Sequence, residues 1–297
     1  MKKIIALAMV LAMFAALAVA CDTSSGDLTS INDYVAPNYT VTTDTGIFTY
    51  EEGEGNAVTI VKYVGKAEPP DVVVPEKIIV KSNDEHSTNE DNERIVTAIG
   101  ANAFYYCTAM TSVSLPATVE SIGSWAFAGC TALTEMTLPD AVKTIGAGAF
   151  HGCTGLTSIK LSSELVEIKE HAFYGCNKLA SINLPAKLQI IGTAAFFGCQ
   201  GLSELTVPAS VNVIGDMAFY QCNHLTSIDL TAMSTAEGSV ELGDYIFWSE
   251  YKDVIQAPAE GPVKEYVDKI VISGVGEEVT TKSEETTPEE DTTEAAE

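Results

Sequence analysis

The sequence predicts an α/β repeat protein, a solenoid of 23-residue units with a curved parallel sheet and short helical turns, on three observations. The dipeptide Ala-Phe recurs with its phenylalanine at Phe104, Phe127, Phe150, Phe173, Phe196 and Phe219, every step 23 residues long. Cysteines keep the same step at Cys107, Cys130, Cys153, Cys176, Cys199 and Cys222. Isoleucines at 99, 122, 145, 168, 191 and 214 keep it again, each followed by glycine except at Lys169. Self-similarity at a fixed period of this length marks stacked supersecondary units.

Residues 1–20 read as a secretory signal: Lys2 and Lys3, an unbroken apolar run from Ile4 to Ala20, and small residues at Ala18 and Ala20. The five residues Leu17-Ala18-Val19-Ala20-Cys21 resemble a bacterial lipoprotein box, although Leu17 stands one place early and Ala18 fills the usual leucine position. The resemblance implies that Cys21 is a lipid attachment site, each buried methylene of its acyl chains adding roughly 0.8 kcal/mol of membrane affinity. Plain cleavage after Ala20 is the alternative. No second apolar run is long enough to span a bilayer. Residues 21–44 are short of apolar clusters and are expected to form a flexible tether.

Residues 45–98 are expected to cap the stack. Gly46-Ile-Phe-Thr-Tyr50 and Ala57-Val-Thr-Ile-Val-Lys-Tyr63, joined through Gly53-Glu-Gly-Asn56, form a hairpin pattern. Asp71-Val-Val-Val-Pro75 reads as a first solenoid strand, and residues 82–94 as a polar insertion. Asp84, Glu85, His86, Glu90, Asp91 and Glu93 there match no spaced calcium loop, so a solvated loop is the reading.

Residues 99–236 hold the six repeats. Ala, Phe and Cys at i, i+1 and i+4 place apolar groups on one side of a short helical turn. Leu133-Thr-Glu-Met136-Thr-Leu138 then alternates apolar with polar at the period of a strand, and Pro139 ends it. One unit cannot bury both faces alone, so stability comes from neighbouring units. Residues 237–272 repeat the unit once more in degenerate form, with Phe247 placed 28 residues after Phe219, and close with a strand and a capping helix. Residues 273–297 are almost wholly Glu, Thr, Ser and Ala and read as a disordered acidic tail.

Units such as IGSWAFAGCTALTEMTLPDAVKT, residues 122–144, resemble the BspA-like, or treponemal-type, leucine-rich-repeat family. The resemblance covers residues 45–272 and implies a leucine-rich-repeat solenoid with an N-terminal β-hairpin cap and a C-terminal capping strand and helix. It also implies a bacterial surface protein that binds host or extracellular proteins. No binding residue is carried by a family motif. Ser162, in place of proline, and Lys169, in place of glycine, are expected to loosen the junction between the third and fourth coils.

The chemistry-bearing residues offer no catalytic grouping. The cysteines and phenylalanines are expected to be inward core ladders, the thiols unbridged because parallel inward side chains are poorly placed for a disulfide. His151, His171 and His224 occupy different columns of the repeat and are not expected to converge on a metal or nucleophile. Two columns are candidates for partner binding. Outward strand positions place Glu135, Lys160, Glu204 and Asp229 on one sheet face among serines and threonines. The position after each phenylalanine holds Tyr105, Tyr174, Phe197 and Tyr220, aromatic groups suited to protein contacts if exposed; the competing reading is that they shield the neighbouring coil.

The formal charge of −25 repels phosphate backbones and anionic headgroups, so neither nucleic acid nor peripheral membrane binding is expected, and a basic partner is. The sequence therefore predicts a monomeric, non-catalytic, cofactor-free protein. It is expected at the bacterial cell surface or outer membrane, alternatively in the periplasm, held by its lipid alone and binding an extracellular or host protein. A structural scaffold of the envelope is the alternative function, and a carbohydrate-active enzyme the remaining one.

Overall fold

The computed structural model describes residues 39–65, 71–79, 93–236, 238–247 and 253–273. The proposed signal, Cys21, most of the tether and insertion, and the tail beyond Ser273 lie outside these residues.

The coils stack through two columns of short parallel strands. The first is the one the alternating pattern predicts: Ser112–Ser114, Glu135–Thr137, Ser158–Lys160, Ser181–Ile182, Glu204–Thr206 and Ser227–Asp229. They pair one repeat apart in separate groups, as in Ser158 with Glu135 and Ser227 with Glu204, with breaks between Ser112–Ser114 and Glu135–Thr137 and between Ser181–Ile182 and Glu204–Thr206. The second column was not anticipated. Residue pairs ending in the repeat isoleucine, from Ser121–Ile122 to Glu241–Leu242, form a continuous parallel ladder that becomes most of an eleven-stranded sheet.

The N-terminal cap comprises β1 (Tyr39–Thr42), β2 (Gly46–Glu52), β3 (Ala57–Gly65), β4 (Asp71–Val73), β5 (Lys77–Ile79) and β6 (Glu93–Ile99), all of them in that sheet except β4. β2 and β3 form the expected antiparallel hairpin, with a bulge at Thr49 and Tyr50. β3 then runs parallel to β6, which passes the register to the repeats. β4 begins the first strand column by pairing Asp71 with Ser112. Two boundaries move. Tyr39–Thr42, placed by sequence in the tether, is a strand against β2, because alternating Tyr-Thr-Val-Thr sets Val41 against the core. Glu93 and Arg94, placed in the insertion, belong to β6; Lys77 pairs with Glu93 at 2.9 Å as β5 lies antiparallel beside it.

Between the two strand columns the chain turns without forming a helix, a correction to the short helical turns expected. The reason is left-handed backbone at two positions of the coil: Asn102, Trp125, Gly148, His171, Ala194, Met217 and Tyr245, with φ of 52–62°, and four residues later Tyr106, Gly129, Gly152, Gly175, Gly198 and Gln221. A continuous helical ladder cannot run through such residues. The N–H groups go to the next coil instead: Phe104 to Ala126, Phe127 to Ala149 and Phe150 to Ala172, at 2.7–2.8 Å. Only glycine adopts this conformation without a steric penalty, and at the first position a glycine stands in one coil of the seven, at Gly148. Each other coil carries about 1–2 kcal/mol of strain there.

The core is a single cluster from Phe48 to Val267. Along its axis the repeat phenylalanines stack face to face, from Phe104 on Phe127 at 4.9 Å to Phe219 on Phe247 at 5.6 Å. Tyr63 and Phe48 close the N-terminal end of this column. At the other end α1 (Pro262–Ser273) buries Val263 and Val267, and Tyr266 accepts the Ile246 N–H at 2.9 Å. No helix among the described residues is long and apolar enough to cross a membrane.

Ser162 is fully buried, donates to the Asp140 carbonyl at 3.0 Å and accepts the Glu164 N–H at 3.1 Å, so it ties the third coil to the second. The third and fourth coils are joined by the Phe150 N–H to the Ala172 carbonyl at 2.8 Å and the Gly152 N–H to the Tyr174 carbonyl at 2.7 Å, and their junction lacks one bond, among the described residues, that the others make. The N–H after the repeat isoleucine bonds across coils at Gly123, Gly146, Gly192, Gly215 and Gly243, but not at Lys169.

Candidate functional site

The thiol column is structural. Cys130, Cys153, Cys176, Cys199 and Cys222 are buried thiols, and each donates through Sγ to a phenylalanine carbonyl of the coil before, at 3.1–3.2 Å. Burial pushes Cys153 and Cys222 up to about 12, which holds them as unreactive thiols. Cys107 is buried at the N-terminal end of the same column.

The aromatic column is a second ladder, parallel to the phenylalanine core. His151 stacks on Tyr174 at 4.8 Å, Tyr174 on Phe197 at 4.7 Å and Phe197 on Tyr220 at 5.7 Å. Their ring faces cover one another, so half-buried edges are what solvent meets. Tyr105, expected among the exposed rings, is buried at 8% exposure beside Tyr106, and Tyr106 is the exposed one at 39%. This column therefore aligns coils more than it offers rings to a partner. His151 and His171, in different sequence columns, meet around Tyr174, whose ring lies 5.7 Å from that of His171. Burial lowers the pKa of both, and for His151 the neighbouring His171 lowers it further. His224 is exposed.

The first strand column gives the other candidate face. Glu135, Lys160 and Glu204 are exposed on it, in register with serine, threonine and asparagine neighbours. Two adjoining open depressions, of about 470 and 610 Å³, share Glu135, Thr137, Asp140 and Lys160. Their floor is apolar, with Met136 in both and Leu161 and Leu184 in the first. Asp140, next to the strand-ending proline, and Leu184 were not singled out from sequence; their membership of this surface depends on how the corner folds back. Asp229 is committed locally: its carboxylate accepts the Thr231 N–H at 2.9 Å and hydroxyl at 2.6 Å, which lowers its pKa. Glu204 and Asp229 border neither depression, so the structure groups Glu135 with Lys160 and leaves the other two apart.

The comparisons fit this geometry. A family model described as the BspA type leucine rich repeat region matches residues 97–226 in six copies. Among solved structures, the chain is similar to a leucine rich repeat protein of T. pallidum. The identity is 29%, over 75% of this chain and 93% of that one, with a TM-score of 0.60. It is also similar to a leucine rich cell surface protein of Faecalibacterium prausnitzii A2-165, at 29% identity and a TM-score of 0.61. There the match covers 75% of this chain and 55% of the other, so this chain spans about half of that protein's length. No curated protein matches the sequence.

Proposed function

The repeat region of this chain belongs to the BspA-type leucine-rich-repeat family, and on that premise we propose that it is a non-catalytic protein of the bacterial envelope whose strand face binds another extracellular protein. The observation that carries the reading is the grooved strand face, where Glu135, Asp140 and Lys160 surround an apolar floor across three coils. Leu184 is the half-buried part of that floor, with Met136 and Leu161 beneath it. A protein partner with basic residues complements the strongly acidic chain and gains association rate from it. Export is supported by the signal-like N-terminus and by the similarity to a cell surface protein. Attachment through an acylated Cys21 completes the proposal, with the solenoid held outside the membrane.

The test is binding of the purified chain to a panel of extracellular proteins of graded charge. Saturable binding to a basic member is expected, weakened by salt and by at least about tenfold on reversing Glu135 and Asp140 to lysine. Binding to no panel member, or binding indifferent to both substitutions, removes the reading. Mass spectrometry of the native N-terminus tests the anchor through the acyl mass on Cys21. Protease treatment of intact cells tests exposure, since a periplasmic scaffold survives it.

A further inference from the structure

The corner that follows the glycine of each repeat lies apart from the strand face, and at the C-terminal end of the stack it changes character. Left-handed positions that glycine would fill without strain hold Met217 and Tyr245 in consecutive coils, tied by the Met217 N–H to the Asp244 carbonyl at 2.8 Å. Both side chains are turned out to solvent, Met217 at 38% and Tyr245 at 62% exposure. Beside them is an open depression of about 570 Å³ with Ile214 and glycines in its floor and Glu170, Asp216 and Glu241 around it. Asp244 adjoins, its N–H donating to the Asp216 carboxylate at 2.8 Å. None of these four carboxylates is in an ion pair among the described residues.

We propose that this corner is a second docking surface, which takes an extended protein segment bearing arginine or lysine interleaved with apolar residues. The occupant follows from charge complementarity. Exposed tyrosine and methionine supply the contact area on which binding energy concentrates. A cationic head next to them meets unpaired carboxylates, and a guanidinium can also lie over the Tyr245 ring. A second copy of this chain is disfavoured because it brings the same acidic surface to the contact. Bulky residues kept at strained backbone sites, with little burial in return, are what a surface selected for contact would show.

The experiment measures binding of a labelled peptide alternating arginine with leucine to the full chain by fluorescence anisotropy, with thermal melting in parallel. The key variant is Met217→Gly with Tyr245→Gly, since glycine relieves the left-handed strain. The expected result is affinity weakened by at least about tenfold while Tm holds or rises. Oligolysine, which lacks apolar residues, should bind more weakly than the alternating peptide. Glu135→Gln with Asp140→Asn should leave peptide binding unchanged, so that this surface and the strand face succeed or fail separately. Three outcomes overturn the proposal: affinity unchanged in the glycine variant, a Tm that falls together with affinity, or binding lost only in the strand-face variant.

Discussion

Single side chains in this protein are decided by what the neighbouring coil places above and below them. The five buried thiols each have a phenylalanine carbonyl as acceptor, and Cys153 and Cys222 are raised from an ordinary 9.0 to about 12. The native state therefore keeps its protons where the unfolded chain has lost them. Stability from this source is complete below about pH 9 and is lost as pH climbs toward 12. Urea midpoints between pH 7 and pH 11 should fall beginning near pH 9, and the five thiols should resist alkylation in native protein and react in urea. The histidines act with the opposite sign. Burial lowers His151 and His171 below 6.5, so their contribution is present above that pH and is lost as acidification protonates the unfolded chain first. His151→Phe preserves the stack on Tyr174 and removes one proton uptake. Its stability relative to the parent should accordingly improve as pH drops from 7 to 5; an unchanged difference would count against the buried, neutral histidine.

Elements were legible in proportion to how much of the repeat's chemistry they carried in sequence. The phenylalanine and cysteine ladders and the first strand column could be read because every coil spends the same residue type on the same inward position. The second strand column could not, since two residues such as Ser121–Ile122 are too few to show an alternating period. The first of the left-handed positions was hidden for a different reason. At the position of Trp125 seven coils share a backbone conformation but no residue type, so the constraint leaves no pattern, whereas the second left-handed position shows as the glycine before the cysteine in four coils. His151 and His171 meet because their 20-residue separation falls just short of one repeat, a relation visible only once the coils are stacked. The candidate strand face was half legible: its register was, while Asp140 and Leu184 joined it through the fold of the corner. The glycine after the repeat isoleucine is the clearest test of element packing. A Cβ at Gly215 would stand 2.5 Å from the Thr193 nitrogen of the coil below. Gly215→Ala should therefore separate two coils and cost about 1–3 kcal/mol, as overpacking does. Chemical denaturation measures it, and a neutral result would mean that the stack expands freely.

At the scale of the whole molecule the acidic excess works against the stack that holds it. Coils lie ~4.8 Å apart along the axis, well inside the ~10 Å screening distance at 0.1 M salt, so unpaired carboxylates on successive coils repel. Two cross-coil ion pairs oppose this, Glu120 with Lys143 and Glu164 with Lys187, each at 2.6 Å. All four side chains are about half exposed or more, and exposed pairs contribute only about 0–1 kcal/mol. Residues 99–247 hold twelve Asp and Glu against five Lys, a net charge of −7, and this excess outweighs the two pairs. Raising sodium chloride from about 0.02 to about 0.5 M should then raise Tm, because screening relieves more repulsion than attraction. Binding of a basic partner should weaken over the same range. Opposite signs in the two measurements separate a charge kept for recognition from one kept for folding. A Tm that falls with salt would show instead that the cross-coil pairs dominate the stack.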